Sequence, residues 1–182
     1  MAARLADAID RMSEGAGTLI RWLVLVMVLL GAFNAVARYL GRSIGVQLSS
    51  NAFIEAQWYL FSLIFLLGAG YTLKRRGHVS VDVMYERFTS RTKAWIDLVG
   101  TVLLLLPFCV FGIVMAWPSV RNSWALREVS PDPGGLPRYP IKSVILIAFV
   151  LLFLQGLAWA LRRGAQIRSG RFDEDRDEVA SP

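Results

Sequence analysis

Residues 98–120 read LVGTVLLLLPFCVFGIVMAWPSV, 23 positions without one charged side chain. A helix rises about 1.5 Å per residue and the hydrocarbon core of a bilayer is roughly 30 Å thick, so an uncharged apolar run of about 18 or more is a candidate membrane span. Working outward, three further uncharged blocks appear at residues 22–37, 56–73 and 143–161. The first is short, but Arg21 and Arg38 at its ends can bury their stems and reach water with their guanidinium groups. None of the blocks alternates as a barrel strand does. Pro107 is placed to kink the third span, which a membrane helix tolerates.

Composition agrees with this reading. Of 182 residues, 55% are apolar and 19% charged, against about 45–50% and 25% in a soluble domain. A disordered chain is excluded by the same figures. The expected fold class is an all-α integral membrane protein with four transmembrane helices. It occupies residues 1–163 as a single domain, with spans at about 20–40, 54–73, 96–118 and 141–161. The remainder, 164–182, carries Asp173, Glu174, Asp175, Asp177 and Glu178 and is expected to be a disordered tail. The first span has a rival reading as a leader, because Ala35-Val36-Ala37 resembles a small-residue cleavage site. The long region before it, with Asp7, Asp10 and Glu14, argues against that.

The 20 Lys and Arg residues are unevenly spread. Placing the N-terminus, the loop between spans two and three and the tail on one side puts 14 of them together and leaves 6 opposite. The positive-inside rule then expects both termini in the cytoplasm. It also accounts for the net charge of +6 without nucleic acid, which is not expected as a partner. In the second loop Val81, Met84, Tyr85 and Phe88 share helical spacing, with Asp82 and Glu86 opposite. This predicts an amphipathic helix between spans two and three, lying in the membrane interface or packed on protein. Lys74, Arg75 and Arg76 before it are the candidates for contact with lipid headgroups.

The third loop holds Pro131, Pro133, Pro137 and Pro140 with Gly134 and Gly135, so a stiff, turned segment is expected rather than a helix. Trp117, Trp124 and Tyr139 fit an interfacial belt at the same level. Glu55 ends an apolar span there, close in level to Arg38 and Lys142. An ion pair to either would brace the helices, and a contact to another subunit is the other reading. Asp97, at the opposite level near Lys74 and Arg162, has the same two readings. Gln155 lies deep in span four and is placed to hydrogen-bond across helices, within the chain or to a partner. Gly68 and Gly70 permit close helix approach on span two. His78 and Asp82 are four apart, a helix-start hydrogen bond rather than a metal site.

Several chemistries lack their residues. One histidine and one cysteine, Cys109, exclude bis-histidine haem and dithiol exchange, and Cys109 reads as a packing residue. No serine–histidine pair, zinc set or phosphate-binding loop is apparent. Few deep polar groups, Asn34 and Gln155 among them, leave little to coordinate a coupling ion. The pattern favours a partner or scaffold over a solitary catalyst or carrier, and no cofactor is expected in this chain. A self-contained homo-oligomeric carrier or channel is the alternative, and a membrane enzyme subunit a weaker third.

The stretches Glu55-Ala56-Gln57-Trp58-Tyr59-Leu60-Phe61, Phe65-Leu66-Leu67-Gly68-Ala69 and Gly77-His78-Val79-Ser80-Val81-Asp82-Val83 closely resemble the small membrane subunit of tripartite ATP-independent periplasmic (TRAP) transporters, the DctQ type. Glu128-Val129-Ser130, Gly134-Gly135-Leu136-Pro137, Ile141-Lys142 and Leu154-Gln155-Gly156 are similar to the second half of that family. The resemblance covers about residues 20–163. A basic residue is usual in the family where this chain has Ser80. It implies a bacterial inner-membrane, multi-pass subunit, not an enzyme, which scaffolds a large membrane subunit carrying the sodium and substrate sites. A periplasmic binding protein would deliver the substrate, generally an organic acid, for sodium-coupled uptake. The wording near Glu55 and at Leu106-Pro107-Phe108-Cys109 looks most like the branch labelled mannitol/chloroaromatic or 2-oxo acid transport. Glu55, Gln57, Trp58, His78, Asp82, Glu128, Gly134, Gly135, Lys142 and Gln155 are then the candidate structural or subunit-contact positions.

Overall fold

The structure, a computed structural model, describes residues 2–75 and 88–170. Over those residues it is helical without a β-strand: α1 (Ala2–Ile44), α2 (Asn51–Lys74), α3 (Ser90–Gly100), a π-helical turn (Thr101–Leu105), α4 (Leu106–Ala125) and α5 (Tyr139–Ser169). α3, the π turn and α4 run on as one helix, so four helices are long and apolar enough to cross a membrane. The expected interfacial helix lies outside the described residues apart from exposed Phe88. His78, Asp82, Arg76 and residues 171–182 are outside them too.

The helices overrun the uncharged blocks that announced them. α1 has 43 residues, about 65 Å at 1.5 Å per residue, twice the roughly 30 Å of a hydrocarbon core. Its early turns pack along the far end of α5, where Ala6, Ile9 and Ala158 form a small apolar core with Leu154. α5 packs against α1, α2, α3 and α4 and is the central helix. The α1–α2 and α4–α5 connections meet at one end, called here the hairpin end. The start of α1, the end of α2, the start of α3 and the end of α5 form the termini end.

Buried and exposed residue types are inverted relative to a soluble bundle. Large apolar side chains such as Trp22, Phe33, Leu103 and Phe111 point outward, and Leu104 is 72% exposed. The interior holds Asn34, Thr101, Ser123, Gln155 and Arg163 beside small residues. This is the arrangement expected where hydrocarbon is the solvent and helices associate through small residues and hydrogen bonds. Gly70 illustrates the close approach expected of span two, since a Cβ there would meet the Leu151 carbonyl oxygen at 3.7 Å. At Gly112 a Cβ would lie 2.5 Å from the Phe149 ring, so only glycine lets α4 and α5 close over that ring.

The expected disturbance at Pro107 takes the form of the π turn. Proline lacks the N–H that would bond Leu103, and its ring crowds that carbonyl. The chain widens by one residue immediately before it, and Leu106 N–H bonds to the Thr101 carbonyl instead. Pro140 sits in the first turn of α5, where no N–H partner is required.

Candidate functional site

The candidate positions gather at the two ends of the bundle. At the hairpin end, α4 closes with hydrogen bonds from Arg127 N to the Trp124 oxygen (3.3 Å) and from Glu128 N to the Ser123 oxygen (3.0 Å). This is a Schellman cap, with Arg127 in the left-handed region at φ 49°. The chain then folds back on itself. Val129 and Pro137 pair as an isolated antiparallel bridge. Ser130 N bonds to Leu136 O at 3.1 Å, Gly135 N to Asp132 O at 3.0 Å and Arg138 N to Glu128 O at 2.8 Å. Gly134 makes the turn at φ 72°, a conformation that glycine adopts without a Cβ penalty.

α2 supplies the anchor for this loop. Glu55 is 3% exposed. One carboxylate oxygen accepts the Leu136 N–H at 2.6 Å, and the other accepts the Ser130 hydroxyl. Asn51 Nδ2 donates to the Pro133 carbonyl at 3.1 Å, and the Tyr59 hydroxyl donates to the Pro137 carbonyl at 3.3 Å. Gly135 makes the fit possible. A Cβ there would lie 2.5 Å from Ser130 Cβ and 2.9 Å from the Glu55 carboxylate. The ion pair considered between Glu55 and Arg38 or Lys142 is therefore corrected. Glu55 takes loop donors, and Lys142 pairs with Glu128. The reason is geometric: the loop's N–H groups need acceptors, and a charged acceptor makes the stronger bond. The Lys142 ammonium beside Glu128 holds that carboxyl below its ordinary range. Trp124 and Tyr139 stack edge to face at 4.6 Å, and Trp124 Nε1 donates to Ser143 Oγ at 2.6 Å.

The termini end is held mainly by side chains. Gln155, 2% exposed, donates from Nε2 to Asp10 Oδ1 at 2.9 Å and accepts from Ser13 at 2.6 Å. Its expected cross-helix bond is thus made within the chain. Asp10 also pairs with Arg162. Lys74, expected among the headgroup contacts, bonds to Glu14 at 2.6 Å and to the Asp10 carbonyl at 3.3 Å. Arg75 lies over the Tyr71 ring at 5.7 Å. Asp97 pairs with Arg163 at 3.0 Å. Arg163 also stacks on Trp159 at 4.5 Å.

Gln57 lies between the two ends. It projects from α2 onto Gly31 of α1, where a Cβ would have to push its amide aside. Trp58 points outward and is 60% exposed. Sequence reading passed over Asp10, Ser13 and Arg162 as site residues. Their signal was available: Asp7, Asp10 and Glu14 recur at helical spacing ahead of the first span, complementing the Arg162-Arg163 pair that ends the fourth.

No group of three or more metal-ligating side chains occurs among the described residues. What the geometry provides is a membrane frame with its polar groups turned inward. Comparisons with curated proteins and with solved structures give no match. Residues 27–167, which include both the Glu55-anchored loop and Gln155, match the family described as Tripartite ATP-independent periplasmic transporters, DctQ component. That match extends over more than half of this multi-pass membrane protein, and the chain belongs to the DctQ component family of TRAP transporters.

Proposed function

We propose that the protein is the noncatalytic small subunit of a TRAP-type secondary transporter in the bacterial inner membrane, and that it braces the large membrane subunit. In this reading the large subunit carries sodium and substrate, and a periplasmic binding protein delivers an organic acid. Both termini face the cytoplasm, on the 14-to-6 division of Lys and Arg, so the hairpin end faces the periplasm.

One observation carries the scaffold reading. Buried polar side chains of the bundle, Glu55, Gln155, Asp10 and Arg163, are engaged in joining the chain's own helices and loop. A carrier needs converging polar groups that bind and release cargo near the bilayer midplane. Groups committed to internal bonds serve rigidity instead, which suits a frame against which another subunit moves. Glu55, Glu128, Gly134, Gly135 and Lys142 shape the hairpin end, while Gln57, Trp58 and Gln155 set helix contacts and the lipid-facing surface.

Reconstitution tests this. The protein is placed in liposomes under an inward sodium gradient, alone and together with its large subunit and binding protein, and uptake of labelled organic acids is followed. Uptake is expected only with all three. Sodium-driven uptake by this chain alone overturns the scaffold reading and favours a homo-oligomeric carrier.

A further inference from the structure

The hairpin end carries a cleft of about 220 Å³ between α2 and the start of α5, lined by Glu55, Trp58, Tyr59, Ser62, Arg138, Ile141 and Lys142. Its polar groups differ in how far they are already committed. Glu55 holds the loop, and Lys142 is paired with Glu128. The Tyr59 hydroxyl donates to Pro137, and the Ser62 hydroxyl to the Trp58 carbonyl at 2.8 Å. The Arg138 guanidinium makes no hydrogen bond or ion pair among the described residues, and its charge acts on Glu55 and Glu128 only from a distance. Arg138 thus brings five N–H donors in a planar fork to the lining of this cleft. That fork matches a phosphate in shape and charge.

We propose that this cleft binds the phosphodiester of a membrane phospholipid, with the acyl chains running down over Trp58 and Ile141. Three features favour a lipid over other anions. Polarity is graded along α2: Glu55 lies in its first turns, and Trp58 and Ser62 follow one and two turns further from the helix start. Trp58 is an exposed ring at the level where aromatic side chains meet headgroups. The volume is below the roughly 300–1,000 Å³ of pockets that enclose a whole small ligand, so it accepts one group of a larger molecule whose remainder lies outside. The nearby acids, Glu55 and Glu128, also favour a headgroup with its own ammonium over a purely anionic one. The inference needs only that the chain spans a membrane, not that it pairs with a transport subunit.

Native mass spectrometry of the full chain, purified in mild detergent from membranes rich in phosphatidylethanolamine, provides the test. One phospholipid is expected to stay bound to the unaltered protein. Arg138→Gln lowers its occupancy about tenfold, the scale of losing a charge-assisted pair of hydrogen bonds. Ile141→Trp, which fills the apolar half and keeps the charge, lowers it similarly. Arg121→Gln, which removes an exposed cation outside the cleft, leaves it unchanged. Inorganic phosphate at millimolar concentration does not displace the lipid. The proposal is overturned if Arg138→Gln retains the lipid, if Arg121→Gln loses it equally, or if free phosphate competes it away. It is equally overturned if the large subunit, when co-purified, occupies the cleft with a side chain and no lipid is found.

Discussion

The two ends of the bundle are joined by opposite means. At the hairpin end one carboxylate, Glu55, gathers a loop by accepting from the Leu136 backbone and the Ser130 hydroxyl. At the termini end four side chains, Asp10, Ser13, Gln155 and Arg162, tie α1 to α5 with little help from the main chain. The difference follows from what each end must satisfy. A loop of irregular backbone has N–H and carbonyl groups in search of partners. Two antiparallel stretches of helix have few, because each helix has already bonded its own backbone, so side chains supply the polar glue. The first arrangement fixes a shape, and the second fixes a distance and a register between helices.

The largest effect is expected where the termini end loses its shared carboxylate. Asp10→Ala leaves Arg162 and Gln155 facing each other without their common acceptor. Breaking a mostly buried pair costs about 3 kcal/mol, measured by unfolding in mixed detergent micelles. The loop is expected to keep its shape, so tryptic cleavage after Arg127 and Arg138 stays at the parental rate. A rise in that cleavage would show that the two ends are coupled and would break the comparison.

Next comes the hairpin end. Gly135→Ala forces a Cβ to 2.5 Å from Ser130 Cβ, and overpacking of this kind costs about 2 kcal/mol. Glu55→Ala removes both acceptors and frees the loop. Each is expected to raise cleavage after Arg127 and Arg138 about tenfold through local opening, with the α1–α5 contact intact. If Gly135→Ala is cut no faster than the parent, the loop is not held by the packing described here.

A smaller change is expected of Gln155→Leu. It removes two interhelical hydrogen bonds but keeps Asp10 with Arg162. Interhelical bonds in membranes average well below 2 kcal/mol, so a loss of about 1 kcal/mol is expected. A loss as large as that of Asp10→Ala would transfer the leading role from the ion pair to the amide.

The smallest effect is a pH dependence at the hairpin end. Lys142 depresses the Glu128 carboxyl from its ordinary 4.5. A group depressed in the folded state adds stability that is present above the unfolded value and is lost as pH falls through the folded one. Glu128→Gln should therefore be slightly less stable than the parent at neutral pH, and the gap should close as pH drops below about 4.5. A gap that persists unchanged into that range contradicts the assignment. The pair is partly exposed, which keeps the effect small.

How much of this was legible varies residue by residue. The four spans could be read because absence of charge over 16 to 23 positions is a local property. The turned third loop was equally plain, since proline and glycine restrict their own backbone wherever they stand. Gln155 was recognised as a cross-helix donor because an amide in hydrocarbon must find a partner. Its partners, Asp10 and Ser13, lie ahead of the first span expected from about residue 20, whereas the helix starts at Ala2. A helix boundary inside a polar stretch is set by what it packs against, here the far end of α5, rather than by its own composition.

Charge pairing shows the same division. Glu55, Lys142, Asp97 and Arg162 were all placed at the right ends of their helices, since position along a span follows from counting residues. Which charge meets which was not countable. Glu55 took a backbone N–H instead of a lysine, and Asp97 took Arg163. These choices depend on the rotation of each helix about its axis and on the path of the loop. The sequence by itself determined the solvent of this protein, its four helices and the level of each polar group, because hydropathy and helical rise act along the chain. Only the tertiary structure decided the azimuth of each side chain, and with it the partners, because neighbouring helices and the folded loop compete for the same polar atoms in a medium that offers them no water.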